Sequence, residues 1–324
     1  MASRRDVLRA LVAAGATSLH RRLAVFGTDG QAASTPVDFR VPAQACDCHV
    51  HVFGDPGRFP FVADRSYTPP PAPVDDLRRL HRRLHMKRVV IATASVYGTN
   101  NDCTLDAIRQ LGASARGIAF IAPEATGAEL DRLRRGGIRG ARLNFEAAGL
   151  TDPTAARERF RVAMRQVVGQ GWHMQLNTRL SIVEALEDEF MRAPATVVFD
   201  HFAQADASSG VDQPGFAALV RLLRSGRAYV KLSAAYRIST RAPDYLDVVP
   251  LARALIGANP ERILWGSDWP HPDAARRPGR SPTDLSPPLR VDDGRVLNQL
   301  AVWAPEPAIR HRILVDNPAR LYGF

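Results

Sequence analysis

The sequence predicts an α/β chain folded as a (β/α)8 barrel of the TIM type. Short runs of β-branched or apolar residues alternate with longer segments of helical period, which is the signature of repeated βα units. Eight such runs occur along the chain. The length of 324 residues also suits one large domain, because α/β barrels commonly use about 250 residues.

In chain order, the predicted strands are 47–51, 89–94, 117–122, 140–144, 173–177, 197–201, 229–233 and 263–266. Helical periodicity predicts helices between them, among them 75–84, 104–110, 154–168, 182–191, 216–225 and 244–256. Long proline-rich loops, 67–74 and 270–288, follow the first and last strands. In a barrel they lie at the end where catalytic loops belong.

Composition and charge exclude several classes of protein. The net charge is +10, and Lys87 and Lys231 are the only lysines among 43 basic residues. The arginines are scattered and form no basic stripe with interleaved aromatics, so no nucleic-acid partner is expected. Three cysteines are too few for a disulfide framework. Beyond the first thirty or so residues no apolar run approaches the roughly 18 residues that span a bilayer, so no membrane partner is expected.

Residues 1–36 resemble a twin-arginine export signal. Arg4 and Arg5 precede a modest apolar stretch at 10–19, and small residues near Ala32 would suit a signal peptidase. A basic triplet at 20–22 interrupts the apolar region, which leaves a disordered basic arm as the alternative. We therefore expect export to the periplasm, or otherwise a cytoplasmic protein, with a barrel domain over residues 37–324.

The histidines carry most of the chemical information. Strict alternation along CDCHVHVF places Asp47, His49 and His51 on one face of the first strand and Cys46, Cys48 and Val50 on the other. Two imidazoles pointing into a barrel are expensive to bury without a ligand, a partner or a reaction. The sixth strand ends in Asp200 and His201, and the last is followed by Asp268. The ends of three strands thus place three histidines and an aspartate together at the carboxyl end of the barrel, called its mouth below.

These motifs resemble the amidohydrolase superfamily, and within it the amidohydrolase-2 group. The resemblance rests on the His-x-His, the Asp-His, SDWPHP and the closing DNPARLYGF, and it runs from about residue 45 to residue 324. The stretches HVFGDPGRFPF, SYTPP and RGARLNF resemble the lactonase branch of that group, which includes pyrone-dicarboxylate and sulfomuconolactone hydrolases. The resemblance implies a hydrolase of small anionic lactones of muconolactone, pyrone or sugar-acid type, in aromatic-compound catabolism.

The resemblance also implies roles for individual residues. His49, His51 and His201 would polarise the lactone carbonyl, while Asp268 would take a proton from the attacking water. The carboxylates of the ring would be held by Tyr67, Ser95, Arg142 and Arg237. One departure concerns the run Glu146, Ala147, Ala148, which stands where the lactonases place a further arginine. Pyrone dicarboxylate is therefore expected to be a poor substrate.

A metal ion is the open alternative. The set His49, His51, His201 and Asp268 suits zinc, and metal-dependent decarboxylases and hydratases of the superfamily use such a set. The fourth strand, however, carries Arg142 and Asn144 rather than a bridging lysine or glutamate. The lactonase branch implies chemistry without a divalent ion, so no cofactor is expected, with a single zinc ion as the alternative. A binder of sugar acids without activity is the third hypothesis, and the sequence does not indicate an oligomeric state.

Overall fold

A computed structural model describes residues 35–275 and 279–324. All eight predicted strands are present, and they form one parallel sheet in the order β1 to β8. Their bounds are β1 Cys46–Val50, β2 Arg88–Ala92, β3 Ala115–Ala119, β4 Ile138–Asn144, β5 His173–Asn177, β6 Val197–Phe199, β7 Ala228–Ser233 and β8 Ile263–Gly266. The predicted TIM-type barrel is confirmed.

The first and last strands close the barrel at their carboxyl ends. The backbone N–H of Asp268 donates to the carbonyl of His49 at 2.9 Å, and the N–H of His51 donates to the carbonyl of Trp269 at 2.7 Å. Closure leaves few unpaired strand edges and joins the two segments that carry the predicted chemistry.

Twelve α-helical segments occur within the described residues, and most of them cover the outside of the barrel. They are α1 Val74–Leu84, α2 Asp102–Leu111, α3 Gly127–Arg135, α4 Pro153–Val167, α5 Leu180–Ala185, α6 Glu187–Arg192, α7 Phe216–Arg224, α8 Ala235–Ile238, α9 Val249–Ala258, α10 Asp293–Trp303, α11 Pro307–His311 and α12 Asn317–Tyr322. In α1, Val74, Leu77, Leu80 and Leu84 recur at helical spacing and are buried.

Two predicted helices are wrong in extent. The segment 182–191 is split into α5 and α6 at Leu186, whose φ of −112° departs from helical values. The segment 244–256 begins later, because α9 starts at Val249 with Pro250 in its first turn, where the missing N–H of proline is tolerated. The sixth strand ends at Phe199 rather than at residue 201, because His201 adopts a left-handed φ of 50°.

A β-bulge in β1 overturns the strict alternation predicted for that strand. Asp47 pairs with Val89 and Val50 pairs with Ile91, so β1 holds one extra residue across this interval. The Asp47 carboxylate consequently lies outside the barrel wall, where Ser267 Oγ donates to it at 2.6 Å and His81 of α1 lies 3.4 Å away. Asp47 therefore does not share a face with His49.

The barrel interior has an apolar lower layer and a polar upper one. Cys46 and Cys48, predicted to face away from the lumen, pack there with Val90, Ile118, Val198, Tyr229, Leu264 and Tyr322. The bulge follows immediately, and His49 then enters the lumen against Gly266, where an added Cβ would lie only 2.7 Å from the His49 Cβ. Before the bulge, the thiols of Cys46 and Cys48 face the lumen; after it, at the catalytic end, the imidazoles of His49 and His51 do.

The two long loops meet over this end. The Ser286 N–H donates to the Thr68 carbonyl at 2.7 Å, and the Thr68 hydroxyl donates to the Pro282 carbonyl at 2.7 Å. The predicted signal segment lies outside the described residues except for Thr35 and Pro36, and the Thr35 hydroxyl donates to Asp292 at 2.6 Å. No helix in the described ranges is both long and apolar enough to cross a membrane.

Candidate active site

The structure brings the four predicted catalytic residues together at the carboxyl ends of the strands. Asp268 Oδ1 lies 3.6 Å from His49 Nε2, 3.7 Å from His51 Nε2 and 3.9 Å from His201 Nε2. All four side chains are almost completely buried. The convergence of strand ends predicted from the sequence is therefore realised, although β1 reaches it only through its bulge.

The two oxygens of the Asp268 carboxylate have different surroundings. Oδ2 accepts hydrogen bonds from the Tyr236 hydroxyl at 2.6 Å and from Arg237 Nε at 2.8 Å. Oδ1 is buried and has no hydrogen-bond partner within the described part of the chain. Burial opposes ionisation of Asp268, but the nearby positive charge of Arg237 acts in the other direction, and the Asp268 pKa lies well below its usual range. One oxygen is thus held in place while the other is free to accept a proton.

His51 and His201 are held through their Nδ1 atoms. His51 Nδ1 lies 2.7 Å from the Ala92 carbonyl oxygen, which can only accept, so Nδ1 carries the proton of the neutral ring. His201 Nδ1 lies 2.8 Å from the Ser233 hydroxyl. Burial lowers the pKa of both histidines to about 4, so both rings are neutral at pH 7. The His51 Nε2 atom then presents a lone pair to the centre rather than a donor.

His49 rests on a buried polar floor built around Lys231. The Lys231 ammonium donates to Gln175 Oε1 at 2.6 Å and lies 3.2 Å from His49 Nδ1 and 3.3 Å from Asp200 Oδ1. An ammonium group has donors only, so where Lys231 donates to His49 Nδ1 the ring proton lies on Nε2, whereas a bond from His49 Nδ1 to Asp200 Oδ1, 3.1 Å away, places the proton on Nδ1. That Nε2 atom is buried without a hydrogen-bond partner among residues 35–275 and 279–324. In the tautomer set by Lys231, His49 points an N–H donor at the centre, unlike His51.

The same residues also fit a divalent cation. One ligand atom each from His49, His201 and Asp268 lies within 4.8 Å of the others, and imidazole nitrogen with carboxylate oxygen is a ligand set that zinc accepts. Binding at His49 Nε2 would require the ring proton on Nδ1, and Asp200 Oδ1 lies 3.1 Å from that atom. The donor set thus allows a metal ion as well as a metal-free site.

The four predicted substrate-binding residues surround the same mouth. The Tyr67 hydroxyl interacts with Ser95, and burial raises the Tyr67 pKa to about 12. Arg237 is tied to Asp268 and, through Nη2, to the Pro272 carbonyl at 3.1 Å. Arg142 is deeper: its Nη1 donates to the Thr93 carbonyl at 3.0 Å and its Nη2 lies 3.5 Å from Asp200 Oδ2. Both arginines therefore have a carboxylate of the protein as counterion, Asp200 for Arg142 and Asp268 for Arg237.

A cavity of about 230 Å³ adjoins Ser95 at this mouth. Its lining includes Arg65, Phe120, Asn144, Ala147 and Ala148. The two alanines, where the resemblance implied a further arginine, contribute only methyl groups to this wall. The opening can therefore accept a substituent of the substrate beyond the reacting centre.

Three residues of the site escaped prediction as functional residues. Lys231 could have been found, because it is one of two lysines and lies in the apolar run of β7, on the same face as Tyr229 and Ser233. Asp200 lies at a strand end, but the sequence alone indicates no role for it. Tyr236 gave no signal, since its contact with Asp268 crosses 32 residues and depends on the turn after β7.

Comparison with known proteins agrees with this geometry. A family model described as amidohydrolase matches residues 46–324. The 4-sulfomuconolactone hydrolase of Rhizobium radiobacter is 38% identical over 296 residues, which cover 90% of this chain and 94% of that protein. The 2-pyrone-4,6-dicarboxylate hydrolase of Comamonas testosteroni is 36% identical over 293 residues, which cover 88% and 92%.

Comparison with solved structures also supports this family. A crystal structure of an Agrobacterium tumefaciens protein in its apo form superposes with a TM-score of 0.75 at 26% identity, covering 90% of this chain and 99% of that one. The predicted resemblance is therefore confirmed over nearly the whole barrel. With its buried histidines and aspartate at the strand ends, the chain belongs to the amidohydrolase family and is a hydrolase.

Proposed function

We propose that the protein hydrolyses a small lactone that carries at least one negative charge. The observation that carries this proposal is the pairing of a free carboxylate oxygen with an opposing donor: Asp268 Oδ1 faces His49 Nε2 at 3.6 Å, and both are buried. A base beside a preorganised donor is the arrangement that acyl transfer needs. The names of the two hydrolase relatives, which refer to a muconolactone and a pyrone dicarboxylate, support the substrate class.

The first step is the addition of water to the lactone carbonyl. Asp268 Oδ1 takes one proton of the water while the water oxygen forms a bond to the acyl carbon. The carbonyl electron pair moves to the carbonyl oxygen, which His49 Nε2–H then stabilises as an oxyanion. A donor of this kind contributes about 3 to 4 kcal/mol to transition-state stabilisation. His51, whose Nδ1 bonds to Ala92, offers a lone pair that holds the second proton of the water.

The second step opens the ring. The oxyanion re-forms the carbonyl, the bond between the acyl carbon and the ring oxygen breaks, and the ring oxygen takes the proton from Asp268. The product carries a new carboxyl group, which ionises, and a new hydroxyl or enol group. Asp268 returns to its ionised form, favoured by Arg237 at 2.8 Å.

Two arginines supply the preference for an anionic substrate. Arg237 lies at the rim with about a quarter of its side chain exposed, and it can bind a carboxylate without leaving Asp268. Arg142 is deeper, and its Nε atom is a buried donor without a hydrogen-bond partner within the described ranges. Arginine suits this task because its planar fork can hold a carboxylate by two parallel hydrogen bonds.

We propose that the reaction proceeds without a metal ion, with Lys231 donating to His49 Nδ1 and the His49 proton on Nε2; the 3.2 Å contact between Lys231 Nζ and His49 Nδ1 supports this. A divalent ion held by His49, His201 and Asp268 would polarise the carbonyl and acidify a water molecule instead. Dialysis against a strong chelator should leave kcat/KM unchanged. Inactivation with recovery by zinc alone would contradict this mechanism, and stoichiometric zinc would favour a metal-dependent decarboxylase or hydratase.

A substrate panel tests the proposed function. Muconolactones and sugar-acid lactones that carry a carboxylate should be hydrolysed far better than neutral lactones of the same ring size. Pyrone dicarboxylate should be a poorer substrate, because Ala147 and Ala148 stand where the resemblance implies a further arginine and leave Arg65 as the cation that lines this cavity. Failure to hydrolyse any lactone in the panel would remove the proposal, and a preference for neutral lactones would remove the anion-binding role from both arginines.

A further inference from the structure

A third arginine, Arg65, lines the cavity beside Ser95. It lies in the loop after β1 and is half-buried. Its guanidinium forms no ion pair with any carboxylate in residues 35–275 and 279–324. Arg142 and Arg237, by contrast, are paired with carboxylates of the protein. Arg65 is therefore the arginine of this mouth whose charge is available to an anion of the substrate.

Uncharged groups hold the Arg65 guanidinium in place. Its Nε atom donates to the Thr68 hydroxyl at 2.7 Å, and its Nη1 atom donates to the Val62 carbonyl at 3.0 Å. The Phe61 ring centroid lies 5.9 Å from Arg65 Cζ. These contacts leave the Nη2 atom without a hydrogen-bond partner within the described part of the chain. A side chain that is already held in one position loses less conformational freedom when it binds a ligand.

The far side of the cavity adds an uncharged donor. Asn144, at the end of β4, lines the cavity, and its Oδ1 atom accepts from the Ala147 N–H at 2.9 Å and from Asn177 Nδ2 at 3.1 Å. These two contacts orient the amide, and its Nδ2 atom has no hydrogen-bond partner among the described residues. The cavity thus has donors on two sides, a guanidinium from the loop after β1 and an amide from β4.

One carboxylate of the protein opposes this charge. Asp64 also lines the cavity, next to Arg65 in the chain, but its side chain is exposed. Water and salt screen an exposed charge more strongly than a half-buried one. The positive charge of Arg65 therefore has the greater effect on a group bound inside the cavity.

We propose that Arg65 is a specificity-determining residue that binds a second carboxylate of the lactone, carried on a carboxymethyl arm that extends from the ring into this cavity. The inference rests on the proposed lactone hydrolysis and adds a subsite to it. The planar fork of arginine can hold a carboxylate by two parallel hydrogen bonds. Ala147 and Ala148 line the side of the cavity near β4, so the carboxylate meets a cation only at the loop after β1. A flexible arm can reach that loop, whereas a carboxylate bonded directly to a flat ring stays in the ring plane.

A matched pair of substrates tests this subsite. Both are butenolides with one ring carboxylate; the first carries a carboxymethyl arm, and the second carries a carbamoylmethyl arm of the same shape without the charge. Arg65→Met should raise KM for the first by about 10- to 30-fold and KM for the second by less than about threefold. The kcat values should stay within about threefold, because the arm is bound equally in the ground state and the transition state. Equal changes on the two substrates would overturn the proposal, since a merely structural role in the loop would affect both alike.

Two further variants serve as controls. Arg58→Met removes an arginine of the same loop whose side chain is 61% exposed and paired with Asp106, so neither KM should change. Asp64→Asn removes the opposing charge and should lower KM for the carboxymethyl substrate by up to about threefold. A rise of that KM in Asp64→Asn, or an effect of Arg58→Met as large as that of Arg65→Met, would contradict a subsite at Arg65. Thermal unfolding by circular dichroism shows whether each variant is folded.

A binding measurement needs no turnover, so it decides the subsite even if the proposed hydrolysis fails. The probes are two cyclopentane carboxylates, one with a carboxymethyl arm and one with a carbamoylmethyl arm, which contain no ester bond to hydrolyse. Isothermal titration calorimetry should show about 10-fold tighter binding of the carboxymethyl probe to the wild type, and Arg65→Met should abolish this preference. Equal affinity of the wild type for the two probes, or no binding of either, would overturn the proposal.

Discussion

Asp200 and Asp268 are both buried carboxylates that follow a strand of the barrel, yet their surroundings differ. Around Asp200, Oδ1 lies 3.1 Å from His49 Nδ1 and 3.3 Å from Lys231 Nζ, and Oδ2 accepts from Gln175 at 3.0 Å. Arg142 adds a second cation at 3.5 Å. Asp268 has partners on Oδ2 only, and its Oδ1 faces three imidazole nitrogens.

This difference separates a structural counterion from a base. Nearby cations lower the pKa of both carboxyl groups against the opposing effect of burial. Ionisation alone therefore does not identify the reacting group. The surroundings of the unbonded oxygen do: Asp200 Oδ1 lies 3.3 Å from the Lys231 ammonium, whereas Asp268 Oδ1 faces imidazole nitrogens of His49, His51 and His201. Each prediction below changes one side of this comparison.

Asp268→Asn should have the largest effect on activity. It should lower kcat/KM by about 10³-fold or more, because it deletes the base and keeps the shape. The matched control is Asp200→Asn, which should reduce the free energy of unfolding more strongly than Asp268→Asn because it leaves Lys231 and Arg142 without their carboxylate. Initial rates and urea unfolding of both variants test this. Activity above one-tenth of wild type in Asp268→Asn would contradict the assignment.

Lys231→Met should have the largest effect on stability. Removing one partner of a buried ion pair typically costs about 3 to 5 kcal/mol, because the remaining charge is left uncompensated. Both Lys231 and Asp200 are fully buried. The double variant Asp200→Asn with Lys231→Met should regain part of this loss, since both charges of the Lys231–Asp200 pair are then removed together and only Arg142 loses its carboxylate. Urea unfolding with matched m-values gives these free energies, and a double variant no more stable than Lys231→Met would contradict the counterion role.

Arg237→Met should have an intermediate effect. It removes both the rim cation and one support of Asp268, so kcat/KM for an anionic lactone should fall by about 30-fold. Arg241→Met serves as the control, because that arginine lies four residues further on with 72% of its side chain exposed. Steady-state kinetics on both variants should show the loss in Arg237→Met alone. Equal values would place Arg237 outside the binding site.

The smallest effect concerns acid stability. Burial lowers the pKa of His51 to about 4, below the 6.5 expected of an unfolded chain. The unfolded state therefore binds more protons between pH 6.5 and pH 4, and stability falls as the pH falls through this window. The full difference corresponds to about 3 kcal/mol for this one histidine. His51→Gln should flatten the fall between pH 6.5 and 4, and unfolding curves that remain parallel to the wild type would contradict this.

Most of the barrel was predictable because its strands and helices depend on local periodicity. The four catalytic candidates were predictable because they end strands, and parallel strands place their ends at one mouth. The face of β1 was not predictable, since the bulge between Asp47 and Val50 adds a residue without leaving a mark in the pattern. The contact between Tyr236 and Asp268 was not predictable either, because it depends on the path of the turn after β7. Contacts made by loops leave no periodic pattern in the sequence, so they become visible only in the three-dimensional structure.

Lys231 also bears on how this chain uses basic residues. A guanidinium brings five donors in a rigid plane, whereas the floor offers Lys231 three acceptors: Gln175 Oε1, His49 Nδ1 and Asp200 Oδ1. Arginine in this position would bury unpaired N–H groups at about 1 to 3 kcal/mol each. Nearly all basic residues of this protein are arginines, so a buried lysine indicates a position that requires a compact cation. Lys87, the other lysine, is exposed, so it is the position of Lys231 within an apolar strand that indicates the buried charge network.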